Sequence, residues 1–177
     1  MKQLEKNHLQ EEEEEKKYLR PVKLSDAKAI VEIYNHYINE TAITFETEPI
    51  TTEEMASRIK SISAHFPYFV YEKDGKILGY CYAHLWKERA AYAHTLETTI
   101  YLHKDATHQG IGSLMVSHLI DLCRTQGFHA LIACITEGNE ASVRMHEKLG
   151  FKQVSEYKEV GRKFGRWLGV VDLEYIL

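Results

Sequence analysis

The stretch Thr107-His-Gln-Gly110-Ile-Gly112 joins a segment rich in threonine, isoleucine and tyrosine, which ends near Leu102, to a long helical pattern. Apolar side chains at positions 111, 114, 115, 119 and 122 repeat at helical spacing, and Gly127 marks the end of the pattern. The apolar run that follows, at 130–135, is typical of a buried strand. A strand, a glycine turn, a helix and a second strand therefore form one α/β unit.

The rest of the chain continues this alternation of strands and helices on both sides of the unit. The further predicted elements are a strand at 18–22, a helix from Ser25-Asp26, a helix from Thr51 to about 64, strands at 68–72 and 77–83 joined by the turn Lys73-Asp-Gly-Lys76, a strand at about 91–102, a helix from Asn139 to Gly150, and strands at 152–160 and 167–176. The predicted fold class is α/β, a single domain with a mixed central β-sheet flanked by α-helices.

The first 17 residues differ from the rest in composition, since Glu11 to Glu15 are followed by Lys16 and Lys17. Such a charge run is either an acidic interaction tail or a solvated, partly helical extension, and the second interpretation is the commoner one. We therefore expect an acidic N-terminal extension at 1–17 and one folded domain at 18–177, a length that suits a single hydrophobic core.

Composition and charge argue against several classes of protein. The formal net charge of −4 disfavours a nucleic-acid groove, which needs a dense basic surface. No apolar run approaches the roughly 18 residues that span a bilayer, and the first residues lack the apolar core of a signal peptide. The three cysteines are scattered, as in a cytoplasmic protein, and the ten histidines show no metal-binding spacing. We expect no membrane partner and no metal.

The glycine pair at 110 and 112 suggests an anion site. Without a Cβ, the backbone N–H groups can approach an anion closely, and the start of the following helix adds partial positive charge. A pyrophosphate suits this position, and a tight turn without a ligand fits the two glycines equally well. There is no Walker lysine after Gly112 and no third glycine at dinucleotide-binding spacing.

A second segment, Asn139-Glu-Ala-Ser-Val-Arg-Met-His146-Glu-Lys-Leu-Gly150-Phe, combines with the glycine turn into a pattern that resembles the GNAT superfamily of N-acetyltransferases. In that family the glycine turn holds the pyrophosphate of coenzyme A, the asparagine contacts the pantetheine arm, and the preceding strand pairs with pantetheine amides. The resemblance implies acetyl-CoA as cosubstrate, bound by Ile100, Tyr101, Leu102, His108, Gln109, Gly110, Ile111, Gly112, Ser113 and Asn139. Thr107 departs from the family pattern, which has arginine or glutamine there, and this removes one side-chain contact.

Four further segments narrow the resemblance to the phosphinothricin and methionine sulfoximine acetyltransferases, over about residues 19–177. They are Thr41-Ala-Ile-Thr-Phe45, Trp86-Lys-Glu-Arg-Ala-Ala-Tyr92, Thr95-Leu-Glu97-Thr-Thr-Ile-Tyr101 and Gly161-Arg-Lys-Phe-Gly-Arg-Trp167. The resemblance implies a homodimer that acetylates the amine of a small amino-acid-like substrate. It places acceptor-binding residues at Phe45, Lys87, Arg89, Tyr92, Thr98 and Thr99. Lys87 or Arg89 could hold a substrate carboxylate, and a solvated hairpin is the alternative for both.

Acetyl transfer to an amine needs a base, because an alkyl amine is mostly protonated near neutral pH. Glu97 is the candidate, since an ionisable residue within a strand is unusual and the resemblance makes this glutamate the base; a salt-bridged glutamate is the alternative. His146 stands where most of the superfamily has a tyrosine. It could act as an acid toward sulfur, as a second base, or in packing only. A backbone N–H near residues 100–102 would polarise the thioester carbonyl.

Other routes and functions stay open from the sequence. Transfer through cysteine is disfavoured, because Cys123 and Cys134 are expected to be buried structural thiols, so we expect direct transfer in a ternary complex. A protein or peptide acceptor is a competing assignment. A non-catalytic acyl-CoA-binding module on the same fold is another.

Overall fold

The computed structural model describes residues 14–177, so the first 13 residues of the expected acidic extension lie outside the described part of the chain. Helices and strands alternate within it, and the α/β class is confirmed. The elements in chain order are β1 (Leu19–Pro21), α1 (Ala27–Glu40), α2 (Thr52–Ser63), β2 (Tyr68–Lys73), β3 (Lys76–Leu85), β4 (Thr95–Leu102), α3 (Ile111–Thr125), β5 (Ala130–Thr136), α4 (Glu140–Lys148), β6 (Lys152–Lys163) and β7 (Arg166–Ile176). Short 3-10 turns lie at Leu24–Asp26, Ala90–Tyr92 and Lys104–Ala106.

The seven strands form one mixed sheet in the order β1-β2-β3-β4-β5-β7-β6. Neighbouring strands are antiparallel except β4 and β5, which run parallel. These two strands pair over three residues only, from Thr95 opposite Ala130 to Glu97 opposite Ile132. Because β4 continues to Leu102 and β5 to Thr136, the two strands separate beyond Glu97 and leave a cleft in the middle of the sheet.

Helices cover both faces of the sheet, because strand side chains point alternately to opposite faces. On one face, Leu119 of α3 belongs to the same buried cluster as Leu131 of β5. On the other face, Ile30 of α1 clusters with Tyr80 of β3. The three aliphatic side chains are 0% exposed, and the burial of each contributes about 1.5–3 kcal/mol.

Two predicted helix and hairpin signals are confirmed in detail. Thr51 precedes α2, and its side chain accepts a hydrogen bond from the backbone N–H of Glu54 at 3.1 Å. Asp74 and Gly75 join β2 to β3 with φ values of 53° and 75°, which a two-residue hairpin turn requires.

Two expectations fail at 3-10 turns. The strand expected from about residue 91 begins at Thr95, because Ala90–Tyr92 forms such a turn. Asp26 does stand at the N-terminus of α1, but its carboxylate does not cap that helix. It accepts instead from the Arg20 guanidinium at 2.7 and 2.9 Å and from the backbone N–H of Lys23 at 2.7 Å.

The end of the acidic extension contacts the sheet. The Glu15 carboxylate accepts hydrogen bonds from the Tyr71 hydroxyl and, at 3.1 Å, from Nζ of Lys73 on β2. Within residues 14–177, no helix has the length and apolar character needed to cross a membrane.

Candidate functional site

The cleft between the separated ends of β4 and β5 has a volume of about 110 Å³. Its lining residues are Ile43, Glu97, Thr98, Thr99, Ile100, Tyr101, Ala133, Cys134, Ile135, Thr136, Asn139, Ser142 and His146. In the described chain the edge of β4 that faces β5 has no partner strand beyond Glu97. This edge can therefore pair with the amide groups of an extended ligand.

The expected anion site lies at the start of α3. Gly110 precedes the helix with φ 81°, in the left-handed region that favours glycine, and His108 has φ 61°. No side chain of residues 14–177 caps this end of α3, so the first backbone N–H groups, from Ile111 to Ser113, are available to an anion. The side-chain amide of Gln109 donates to the carbonyl of Asp105 at 2.8 Å, which holds the turn.

The two glycines of this turn serve different purposes. A Cβ on Gly110 would meet nothing within 4 Å, so the backbone conformation alone requires this glycine. A Cβ on Gly112 would lie 2.9 Å from Sδ of Met145 and 3.6 Å from Cδ1 of Leu102. Gly112 therefore allows α3 to approach α4 and β4, and its lack of a side chain is needed for packing, a reason that we did not expect.

The other residues expected to bind a donor surround the β4–α3 connection. Ile100 and Tyr101 line the cleft. The carbonyl of Leu102 accepts a hydrogen bond from the Tyr37 hydroxyl at 2.8 Å. Asn139 precedes α4 and also lines the cleft, and its side chain accepts from the backbone N–H of Ser142 at 3.4 Å.

Glu97 lies where β4 and β5 separate. Burial raises the pKa of its carboxyl above the ordinary value, and the Asp172 carboxylate adds to this effect. His84 on β3, whose Nε2 is 3.9 Å from Oε1 of Glu97, and the Cys134 thiol act in the opposite direction and lower that pKa. Since the raised pKa is closer to neutrality, this carboxyl is suited to take up and release a proton.

His146 is 2% exposed and lines the cleft. Its Nδ1 is 2.9 Å from the carbonyl oxygen of Ser142, so Nδ1 carries a proton and donates it to this carbonyl. Nε2 then offers a lone pair, and it is buried without a partner in the described part of the chain. Burial lowers the pKa of the ring, which favours the neutral form. An unpaired buried acceptor that lines a cleft points to a ligand there.

The expectation of buried thiols holds for Cys123 and is wrong for Cys134. Cys123 is buried, and burial raises the pKa of its thiol to about 12. Cys134 is exposed and lines the cleft. Loss of hydration, together with the carboxylates of Glu97 and Asp172, raises the pKa of the Cys134 thiol far above its ordinary value. A thiol held in its protonated form is a poor nucleophile, which disfavours transfer through cysteine.

The residues expected to bind an acceptor are divided between the cleft and its surroundings. Thr98 and Thr99 line the cleft; the others are Lys87, Arg89 and Tyr92 in the β3–β4 loop and Phe45 in the α1–α2 loop. Nζ of Lys87 lies 3.7 Å from the ring centroid of Trp86 and 5.3 Å from that of Tyr92. The β3–β4 loop thus presents an exposed cation on an aromatic base.

Sequence reasoning missed the contacts that hold the α1–α2 loop. Lys163 of β6 is 3% exposed, and its Nζ donates to the carbonyl of Thr44 at 2.8 Å. The ring of Phe45 packs on Gly161, where a Cβ would clash with it. The spacing of Gly161 and Lys163 was an available signal, because residues two apart on a strand share a face.

A second missed contact holds the same loop to β5. Oγ1 of Thr136 donates to the carbonyl of Ile43 at 3.1 Å, and both residues line the cleft. The two residues are far apart in the sequence, and no local pattern indicates their contact.

Comparison with known proteins identifies relatives with named activities. The profile of the Acetyltransferase (GNAT) domain family matches residues 19–170. The phosphinothricin N-acetyltransferase of Streptomyces coelicolor is 40% identical over 156 residues, which cover 86% of this chain and 91% of that protein. The L-methionine sulfoximine/L-methionine sulfone acetyltransferase of Salmonella typhimurium is 32% identical over 151 residues, which cover 85% of this chain and 88% of that protein.

A solved structure has the same fold. It is that of a GNAT superfamily phosphinothricin acetyltransferase from Sinorhizobium meliloti in complex with AcCoA, with a TM-score of 0.87, 34% identity, and coverage of 90% of this chain and 87% of that one. Together with the sequence relatives, it confirms the resemblance drawn from the glycine turn and the Asn139 segment, and it confirms an acetyl-transferring enzyme. The chain belongs to the GNAT family of acetyltransferases.

Proposed function

We propose that this protein transfers the acetyl group of acetyl-CoA directly to the amine of a small amino-acid-like substrate. The observation that carries the proposal is Glu97, a carboxyl with a raised pKa in a cleft where one edge of β4 is open to a ligand. The relatives named for phosphinothricin and methionine sulfoximine support an amino-acid-like acceptor. The AcCoA bound to the Sinorhizobium meliloti relative supports the donor.

Main-chain groups of β4 and α3 fit the donor. The open edge of β4 at Ile100 to Leu102 can pair with pantetheine amides, and the uncapped N–H groups at 111–113 suit a pyrophosphate. His108 and Gln109 belong to the same turn, and Asn139, which precedes α4 and lines the cleft, would contact the pantetheine arm. The donor supplies a thioester carbonyl, whose oxygen a backbone N–H of β4 would stabilise as negative charge develops on it.

Glu97 would remove the first proton from the acceptor. The acceptor enters as R–NH₃⁺, and the Glu97 carboxylate takes one proton, directly or through a water, to leave R–NH₂. The nitrogen then bonds to the acetyl carbon while the carbon–sulfur bond breaks and sulfur leaves with the electron pair. A second proton leaves the nitrogen, and one proton neutralises the sulfur.

His146 is suited to carry the second proton. The carbonyl of Ser142 fixes the tautomer in which Nε2 has the lone pair, so the neutral ring accepts a proton before it donates one. Its lowered pKa favours the return of that proton to the departing sulfur. His146 therefore acts first as a base and then as an acid.

The acceptor would bind between the β3–β4 and α1–α2 loops. Lys87 and Arg89 are exposed cations that can pair with a substrate carboxylate, and Tyr92 and Phe45 would flank its side chain. The hydroxyl of Thr99 would face the amine end, since Thr99 lines the cleft and shares a face of β4 with Glu97. Thr98 also lines the cleft, but its hydroxyl donates to the carbonyl of Ile132 at 3.4 Å.

We also propose a cytoplasmic homodimer formed through the β6–β7 hairpin. β6 is an edge strand, and the hairpin exposes the apolar side chains of Val154, Tyr157, Val160, Phe164 and Trp167, each 49–60% exposed. An edge strand with such a surface is normally covered. The three free cysteines agree with a reducing compartment. Light scattering should give the mass of two chains, and a monomer mass at micromolar concentration would contradict the dimer.

Release of coenzyme A, followed with a thiol reagent over a panel of amino acids, their amides and peptides, tests the proposed function. We expect turnover with phosphinothricin, methionine sulfoximine or a related amino acid. Turnover with peptides alone would replace the assignment with protein acetylation. Tight acetyl-CoA binding without turnover on any acceptor would indicate a non-catalytic binding module.

A further inference from the structure

A row of polar side chains crosses one face of the sheet beside the cleft. Residues that lie opposite each other in neighbouring strands point to the same face. His84 lies opposite Glu97, and Cys134, Asp172 and Ser155 lie opposite one another across β5, β7 and β6. Glu97 is opposite Ile132, two residues before Cys134, so the five side chains of this row share one face. Only Glu97 and Cys134 of this row line the cleft, so the row connects the cleft to the β6 edge of the sheet.

At the β6 end of the row, Ser155 is hydrogen-bonded to Asp172. Oγ of Ser155 donates to Oδ2 of Asp172 at 2.7 Å, and Asp172 is 9% exposed. Cys134 is next to both carboxylates, because it lines the cleft with Glu97 and lies opposite Asp172 in the register of β5 and β7. Because a thiol has a single proton, the two carboxylates share one donor.

Asp172 and Cys134 affect Glu97 in opposite ways. A nearby negative charge favours the protonated form of a carboxyl, whereas a hydrogen-bond donor favours the ionised form. Burial makes the largest contribution to the raised pKa of Glu97; the Asp172 carboxylate raises that pKa further, and the Cys134 thiol lowers it. The proton affinity of Glu97 therefore depends on two neighbours that oppose each other.

We propose that Asp172 and Cys134 are positioning residues that together set the pH range in which Glu97 accepts the proton of the acceptor amine. Asp172 favours the protonated form of Glu97, and the Cys134 thiol favours the carboxylate. Ser155 keeps Asp172 oriented by donating to its Oδ2. This inference rests on the proposed function of Glu97, and the protonation of Glu97 can be measured without turnover.

Other ionisable groups also face Glu97. They are His84 and Tyr82 from β3 and His146 from α4, across the cleft. Protonated His84 lowers the pKa of Glu97, so His84→Gln should raise it. This variant separates the contribution of His84 to the pKa of Glu97 from that of Asp172.

The test is a pH titration of the ¹³C-labelled Glu97 carboxyl by NMR in the full chain, with the signal assigned by Glu97→Gln. Asp172→Asn keeps the shape and removes the charge, so the midpoint should move to lower pH. Cys134→Val and Cys134→Thr have the same shape, and only threonine keeps a donor. The midpoint should therefore be higher in the valine variant than in the threonine variant.

Glu174→Gln is the matched control. Glu174 is on the same strand and face as Asp172 and lies opposite Ile132, the partner of Glu97. It is not among the groups that shift the pKa of Glu97, so its replacement should leave the midpoint in place. Equal shifts for Glu174→Gln and Asp172→Asn would overturn the proposal. So would equal midpoints in the two Cys134 variants. Because Cys134 is exposed, its two variants should fold. They can therefore test the proposal even if Asp172→Asn folds poorly.

The pH profile of kcat/KM for the acceptor tests this inference and the proposed function separately, through its acid limb, the fall in kcat/KM at low pH. If both are correct, the limb moves with the NMR midpoint in every variant. If the NMR midpoint of Glu97 stays the same in the variants while the acid limb of kcat/KM still depends on Glu97, this inference is overturned and the proposed function is not. Midpoints that shift while the limb stays fixed would show that Glu97 is not the base, which overturns the proposed function and the catalytic role of the pair.

Discussion

In the proposed function, the donor side of the cleft uses main-chain groups of β4 and α3, two elements that follow each other between Thr95 and Thr125. On the acceptor side, two side chains hold the α1–α2 loop from a distance. The bond from Lys163 to Thr44 spans 119 residues, and that from Thr136 to Ile43 spans 93. Most substitutions leave the main-chain N–H and C=O groups in place, whereas a single substitution removes a side-chain contact. We therefore expect donor affinity to be robust and acceptor selectivity to depend on single residues.

The largest expected effect is that of Glu97→Gln, which removes the proposed base and leaves both sides of the cleft in place. Turnover should fall about 10²-fold or more, and the loss should shrink at high pH, where more of the amine is already neutral. Acetyl-CoA affinity, measured by calorimetry, should not change. Glu88→Gln, in the exposed β3–β4 loop, is the control. Near-normal turnover at neutral pH would make Glu97 a structural residue.

A smaller effect is expected where a single cation binds the acceptor. If Lys87 or Arg89 pairs with a carboxylate, an amino acid should be preferred over its amide by about ten- to a hundredfold in kcat/KM, the equivalent of about 1.5–3 kcal/mol. Alanine at the responsible position should abolish that preference and leave turnover of the amide nearly unchanged. Equal rates for acid and amide in the wild type would exclude a carboxylate site on this loop.

Lys163→Met tests the contact that holds the acceptor loop. Loss of the buried bond to the Thr44 carbonyl should loosen this loop and raise the acceptor KM about tenfold, with acetyl-CoA affinity unchanged. Lys158→Met, at an exposed position of the same strand, is the matched control. Equal losses of donor and acceptor affinity would contradict the division of the cleft into two sides.

The smallest effect is expected on the donor side, in a comparison of Gly110→Ala with Gly127→Ala. Both glycines have φ 81°, and a Cβ at either would meet nothing within 4 Å. Each substitution should therefore cost about 1–2 kcal/mol of stability through backbone strain. Only Gly110→Ala alters the start of α3, so it alone should weaken acetyl-CoA binding, by about two- to fivefold. Equal acetyl-CoA affinities in the two variants would contradict the assignment of the pyrophosphate site to this turn.

The local fold of the donor side could be predicted from the sequence because its signals are local. A left-handed glycine, a helical repeat and a closing glycine lie within about twenty residues, and the Asn139 segment follows directly. The function of Gly112 could not be predicted in the same way, because it depends on the distance to Met145 of another helix.

The acceptor side was less accessible to sequence reasoning. Cys134 stands in an apolar run that is typical of a strand buried on both faces, yet Cys134 is exposed and lines the cleft. Lys163 lies in a motif used for the resemblance. A lysine beside exposed strand residues nevertheless suggests a solvated side chain, and its burial follows only from the position of the α1–α2 loop.

The most direct test of the proposed reaction is whether the acetyl group passes straight from acetyl-CoA to the acceptor. The protein is mixed with acetyl-CoA alone, its intact mass is recorded, and the acceptor is then added. We expect an unchanged protein mass before the addition and one N-acetylated acceptor per coenzyme A released after it. A mass increase of one acetyl group that is lost in Cys134→Ala and disappears when the acceptor is added would contradict direct transfer.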